Sequence, residues 1–177
     1  MLLDLIKTRQ SCRNYDPTRR VEKEKIDYLL NCAFLAPSAR NRQPWHYVVV
    51  HNDEEKVNAI RKACQPIEGA NAFLKDVNCY LVLFERDQMV LSRKDTRIKT
   101  QDFRPFDIGT TFGYVSLATQ EQGLAMCCIG MFVEEDIQQA LQINDEVRMV
   151  LALGYAMPDD PYREKSRRDT VETTEVF

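Results

Sequence analysis

Histidine is scarce in this chain. His46 and His51 are the only two in 177 residues, and neither stands in a metal-ligand spacing. A zinc enzyme is thereby set aside, because zinc sites draw on clustered Cys and His. The six cysteines, Cys12, Cys32, Cys64, Cys79, Cys127 and Cys128, contain no C-x-x-C pair, so knuckle and dithiol motifs are missing too. The vicinal Cys127-Cys128 pair reads as two small residues on a buried strand rather than as a redox switch. A basic excess is also missing. The 24 Lys and Arg against 27 Asp and Glu leave a net charge of −3, unlike a dedicated nucleic-acid binder. The longest apolar runs, such as 80–84 and 149–153, are strand-sized, far below the ~20 residues of a membrane-spanning helix. The amino terminus has an acid at Asp4 and no apolar h-region, so the expectation is a cytoplasmic protein with reduced thiols. No Ser–His–Asp, Cys–His or paired-carboxylate arrangement stands out, and there is no internal repeat.

What is there is ordinary in bulk. Hydrophobic residues make 44% and charged residues 29%, which fits a soluble globular chain and excludes disorder or coiled coil for the whole. The length suits one domain over 1–177, able to bury roughly 70% of its unfolded surface. Residues 157–177 form an irregular tail opened by Pro158-Asp159-Asp160-Pro161.

Helical spacing predicts a short apolar helix over 2–8 and a clear one over 18–36. In the latter, Ile26, Leu29, Leu30, Ala33 and Phe34 make one stripe and Pro37 stops it. Asp53 caps a helix over 54–64 with Val57, Ile60 and Ala63 inward. A long helix over 106–122 is expected to be largely buried, in part against a second copy, and to stop at Gly123. A further helix covers 134–141. Strands are expected at 45–50, 77–84, 125–129 and 147–155, the second central and covered on both faces. The charged stretch 85–105 reads as a solvated loop or helix, or as a cover.

Three clusters carry chemistry. The first is Arg9-Gln10-Ser11-Cys12-Arg13-Asn14-Tyr15, where two arginines flank a serine and can present forks and a hydroxyl to a phosphate. The second is the loop Ala36-Pro37-Ser38-Ala39-Arg40-Asn41-Arg42-Gln43-Pro44-Trp45, dense in hydrogen-bonding groups and bounded by prolines. The third is the basic knot Arg163-Glu164-Lys165-Ser166-Arg167-Arg168. Singly, the first reads as a solvated face and the third as a disordered tail. Together, basic groups at both ends with a polar loop between them point to an anionic ligand.

These residues resemble a known family. Arg9-x-Ser11-x-Arg13-x-Tyr15 resembles the opening motif of the flavin-dependent nitroreductases. Ala36-Pro37-Ser38-x-x-Asn41-x-Gln43-Pro44-Trp45 closely resembles their A-P-S-x-x-N-x-Q-P-W loop. Gly123-Leu124 followed by Ile129-Gly130 and Phe132, and then Lys165-Ser166-Arg167, resemble later motifs in the same order. The resemblance implies an α+β fold, a mixed central sheet flanked by helices, and an intertwined homodimer. It implies FMN at the dimer interface, NADH or NADPH as donor, and a ping-pong hydride transfer to nitroaromatics, quinones or other flat acceptors. Relatives of this architecture include dehalogenases and flavin-consuming enzymes, and a non-catalytic FMN-binding module is the remaining alternative.

Carried over by position, Arg9, Gln10, Ser11 and Lys165 or Arg167 would hold the phosphate and ribityl chain. Gln10 replaces a basic residue or histidine of many relatives. Arg13 would approach the N1/O2 edge of the ring, where a fixed cation suits the charge left by reduction. Pro37, Ser38 and Asn41 would line the cofactor from the other subunit, and Gln43 would either join them or hold their loop. Cys128, Ile129 and Gly130 would pack near the ring with amides free for N5 or O4. Phe73, Phe103 and Phe106 are candidates for core or dimer packing, or for a pocket wall. Trp45, the only tryptophan, is expected to be buried at a strand start.

Overall fold

The computed structural model describes residues 1–86 and 101–177. Most of the charged 85–105 stretch therefore lies outside the described residues. The elements run α1 (Leu2–Thr8), α2 (Lys23–Phe34), a 3-10 turn (Ala39–Asn41), β1 (Trp45–His51) and α3 (Glu54–Ala63). There follow a 3-10 turn (Ala72–Asp76), β2 (Cys79–Glu85), α4 (Arg104–Glu121), β3 (Ala125–Ile129), α5 (Glu134–Leu141), β4 (Glu146–Gly154) and a last turn (Thr170–Glu172).

The four strands form one sheet in the order β1-β2-β4-β3, every neighbouring pair antiparallel. The parallel component is a single bridge between Ser11 and Met126, which lays the chain after α1 along the outer edge of β3. All seven residues of β2 are buried. Strand alternation sends Tyr80, Val82 and Phe84 to one face, with α3 and α5, and Cys79 and Leu81 to the other, with α2 and α4. A strand covered on both faces needs no polar alternation, which is why 77–84 reads as an unbroken apolar run. Between Leu83 and Phe84 the β2–β4 register slips at Arg148. Such a bulge re-aims a side chain, and Arg148 reaches Glu85 at 3.5 Å.

Two expectations are corrected. The helix anticipated over 18–36 begins only at Lys23. The Asp16 carboxylate takes the Thr18 N–H and hydroxyl at 2.9 and 2.6 Å, a local turn that competes with helix. Glu22 then sits at the N-cap, its carboxylate accepting from the Tyr155 hydroxyl at 2.5 Å. Phe34, placed in the apolar stripe, is more than half exposed. Leu2, Leu3 and Ile6 of α1, Leu35, and Phe106 and Tyr114 of α4 are exposed as well. Both α1 and α2 lie against α4. Asp53 does cap α3, accepting from the Lys56 N–H at 3.1 Å, and Gly123 follows α4 at φ 66°.

Two outcomes test this packing. Trp45 is 7% exposed, so its fluorescence should be blue-shifted from that of free tryptophan and should red-shift on unfolding. A Cβ at Gly154 would lie 2.8 Å from Tyr15 Cδ1. Tyr15 is held by its hydroxyl on the Ala152 carbonyl at 3.0 Å and by stacking on Phe73. Gly154→Ala should cost about 1–3 kcal/mol of overpacking in urea unfolding, and an unchanged midpoint would show that Tyr15 moves freely.

Candidate functional site

The first cluster leaves α1 in extended conformation from Arg9 (φ −56°, ψ 127°). The Cys12 N–H bonds to the Met126 carbonyl at 3.0 Å. Gln10 and Cys12 border a cavity of about 290 Å³ with Asp160 and Tyr162. The alternation of an extended segment turns Arg9, Ser11 and Arg13 the other way. Arg13 is exposed, and Arg9 and Ser11 are half-buried. The Cys127 thiol is pushed up by burial, while Arg13, Arg163 and Arg9 pull it down.

The tail is not a disordered appendage at this point. The Gln10 amide donates to Asp160 Oδ2 at 3.1 Å and to the Pro161 carbonyl at 3.2 Å, and its oxygen accepts from the Arg163 N–H at 2.9 Å. Arg163 pairs with Asp160, whose side chain is 2% exposed, at 2.6 Å, and reaches the Ser11 carbonyl at 3.4 Å. Lys165 donates to the Lys7 carbonyl, which also accepts from the Tyr162 hydroxyl at 3.1 Å. Arg167 bonds to the carbonyl of its neighbour Ser166. Of the two tail cations, Lys165 is the one brought to the end of α1. The role of Arg163 was not read from the sequence; the only sign was its membership in the basic knot.

The second cluster is a strained loop. Arg40, Asn41 and Gln43 have φ of 56°, 55° and 50°. Asparagine tolerates this region, but left-handed arginine and glutamine cost of order 1–3 kcal/mol each and persist only when surroundings hold them. The Gln43 N–H donates to Ser38 Oγ at 3.0 Å, and the Gln43 side-chain amide donates to the Asn41 carbonyl and Oδ1 at 3.2 and 3.1 Å. Gln43 therefore holds the loop. From α4, both carboxylate oxygens of buried Asp107 accept the Ala39 N–H at 3.1 Å. At the loop's end, the Arg86 N–H donates to the Pro44 carbonyl at 3.0 Å. Pro37, Asn41 and Gln43 face solvent, and Ser38 is half-buried. Asp107 escaped sequence reading because one acid in a helix's first turn looks like ordinary dipole compensation.

The third region is the end of β3. Cys127 and Ile129 are buried, whereas Cys128 and Gly130 are exposed. The buried-strand reading thus holds for Cys127 and fails for Cys128, which points to the opposite face of the sheet and is left uncovered there. Cys128 Sγ lies 3.9 Å from Met149 Sδ. A Cβ at Gly130 would meet no atom within 4 Å, so the backbone there is open to a ligand. Burial holds the Cys12 thiol at about 11, so it is not a thiolate at neutral pH. Phe73 packs against Tyr15 in the core, and Phe103 and Phe106 are exposed on α4.

The first and second clusters lie at opposite corners of the sheet. Ser11 is level with Met126, which aligns through Leu153 and Cys79 with His51, the last residue of β1. The loop enters β1 at Trp45, the other end. Four spacings of about 4.8 Å across and six residues of about 3.4 Å along separate them by roughly 28 Å along the sheet. Among the described residues no group of three or more His, Cys, Asp or Glu could hold a metal ion.

The nitroreductase family profile matches residues 6–155. A Methanothermobacter thermautotrophicus protein with the provisional name NADH dehydrogenase/NAD(P)H nitroreductase is 47% identical over 162 residues, covering 87% of this chain and 76% of its own. The iodotyrosine deiodinase of Thermotoga neapolitana is 24% identical over 198 residues, covering 100% of this chain and 99% of its own. The solved structure of an FMN-dependent nitroreductase from Clostridium difficile R20291 superposes with a TM-score of 0.71 at 25% identity, covering 99% and 98% of the two chains. With the motif loop, the basic opening segment and the sheet order all in place, this chain belongs to the nitroreductase family.

Proposed function

We propose that the protein is an FMN-dependent oxidoreductase, active as a homodimer, that passes hydride from NADH or NADPH to nitroaromatics, quinones or similar flat electron-poor acceptors. The observation that carries this reading is the placement of Arg9 and Arg13 on either side of Ser11 in the extended segment that follows the edge of β3. That donor set fits FMN, because a phosphate dianion calls for several forked cations and a hydroxyl. The open backbone at Gly130 suits a flat ring. When bound, FMN supplies a ring nitrogen, N5, that accepts and returns a hydride.

The chain's own residues bind and orient. Arg9, Ser11 and Lys165 or Arg167 would hold the phosphate and ribityl chain. Arg13 would stand at the N1/O2 edge, where a fixed cation favours the reduced, anionic ring. The amides of Cys128, Ile129 and Gly130 would serve N5 or O4. Gln10 would serve through the tail, because its side chain is bonded to Asp160, Pro161 and Arg163. Pro37, Ser38 and Asn41 belong to the loop at the opposite corner of the same chain, too far to share one ring with Arg13. A second copy, docked through the exposed face of α1, α2 and α4, would bring its own loop to the flavin. Gln43 would keep that loop in shape. The full-length match to a deiodinase keeps a halogenated phenol open as an alternative acceptor at the same site.

Purified protein incubated with FMN and desalted should keep the flavin absorption bands and lose them on adding NADH or NADPH without oxygen. A colourless protein would overturn the cofactor. Comparing quinone, nitroaromatic and iodotyrosine turnover separates the acceptors. Arg9→Ala should leave the far-UV circular dichroism unchanged and weaken FMN binding roughly tenfold or more, the equivalent of one lost charged hydrogen bond. Neither Arg9→Ala nor Ser38→Ala dimers should retain FMN as wild type does. Mixed dimers of the two variants should regain one wild-type site each, and failure to regain it would overturn the shared site.

A further inference from the structure

We infer that Asp107 is a positioning residue for the cofactor. It holds the 38–43 loop in its left-handed shape, and so sets the surface that one copy of the chain presents to the flavin of the other. This inference rests on the FMN reading above.

The loop does not adopt this shape by preference. Three non-glycine residues in four have positive φ, and the bonds within it, from Gln43 to Ser38 and Asn41 and from the Asn41 and Arg42 N–H groups to the Ser38 and Ala39 carbonyls, join groups that are exposed or half-buried. Such bonds shape the loop internally, but they do not anchor it to the rest of the fold. Asp107 acts from a firmer base. It is buried, and its two oxygens converge on the single Ala39 N–H. It lies in the first turn of an 18-residue helix, where free N–H groups favour an anion.

The helix is anchored on both sides of it. Arg104, three residues earlier, pairs with buried Glu85 at the end of β2 at 2.8 Å. Thr111, four residues later, donates to the Ala33 carbonyl at 2.9 Å and lies 3.2 Å from the Tyr47 hydroxyl. One stripe of α4 therefore fixes the end of β2, the loop, the end of α2 and β1 in a common frame. A buried carboxylate is a poor choice for stability alone, because apolar replacements of buried charges often serve as well or better. Its presence is accounted for by the conformation it imposes on Ala39 and the three residues beyond.

The test uses the full-length chain with two substitutions. Asp107→Ala removes the acceptor, and Asp107→Asn keeps one acceptor oxygen. In FMN-free protein, amide hydrogen exchange over residues 38–43 should accelerate roughly tenfold in the Ala variant, stay near wild type in the Asn variant, and be unchanged in β2. FMN dissociation should rise by roughly the same factor in the Ala variant, with kcat at saturating FMN close to wild type and with rescue by Asn. Unchanged exchange at 38–43, or unchanged FMN affinity despite faster exchange, would overturn the inference. Should the Ala variant lose protection in β2 as well, Asp107→Leu fills the space without an acceptor and must give the same two results. A wild-type protein that fails to bind FMN would sink the cofactor reading alone, since exchange in the free chain still decides whether Asp107 holds the loop.

Discussion

Burial of β2 on both faces is the constraint from which the rest follows. Its seven residues exchange water for two different helix layers, α3 with α5 and α2 with α4. Each fully buried Leu, Val or Phe side chain is worth about 1.5–3 kcal/mol of transfer free energy, so a strand at the centre of both cores cannot slip register cheaply. With β2 fixed, β1 and β3 become the two outer strands. The chain segments attached to them, the polar loop before β1 and the basic segment along β3, are carried to opposite corners of the molecule.

That separation gives the exposed helix face its meaning. Leu2, Leu3, Ile6, Phe34, Leu35 and Phe106 remain exposed to water on α1, the end of α2 and the start of α4. A second copy docked on these helices, as proposed above, would bring the loop of one chain to the basic segment of the other. The polar groups follow the same logic. The Asp160 side chain is almost fully buried, and it spends its charge on Arg163 and Gln10, so the tail is tied to the first cluster. Charge-assisted bonds of this buried kind are the stronger class.

Strain is concentrated where function is proposed. The positive φ angles of Arg40, Asn41 and Gln43 contrast with the regular geometry of the strands around them. Such conformations persist only when several neighbours enforce them, and here α4 is the enforcer. Its buried face carries Asp107 toward the loop and Thr111 toward Ala33 and Tyr47. Apolar residues alone would pack it, but they could not fix a loop.

Much of the fold was legible in the residues. Period-two and period-3.6 patterns are local properties, so the strands, the long helix, the Asp53 cap and the buried Trp45 could be read directly. The three chemical clusters were legible for the same reason: their residue types and spacing are written in short stretches. The start of α2 was misread because a turn at Asp16 and a bond from Tyr155, more than 130 residues away, outweighed local helix spacing. Cys128, Asp107 and Arg163 were missed or misplaced because their roles depend on what stands opposite them. The sequence by itself determined which segments are helix or strand and which chemistry each carries. Only the tertiary structure decided which edge of the sheet receives each cluster, that the tail folds back onto Gln10, and that one carboxylate holds the strained loop. Strand order and docking arise from contacts between distant residues, and no local pattern records them.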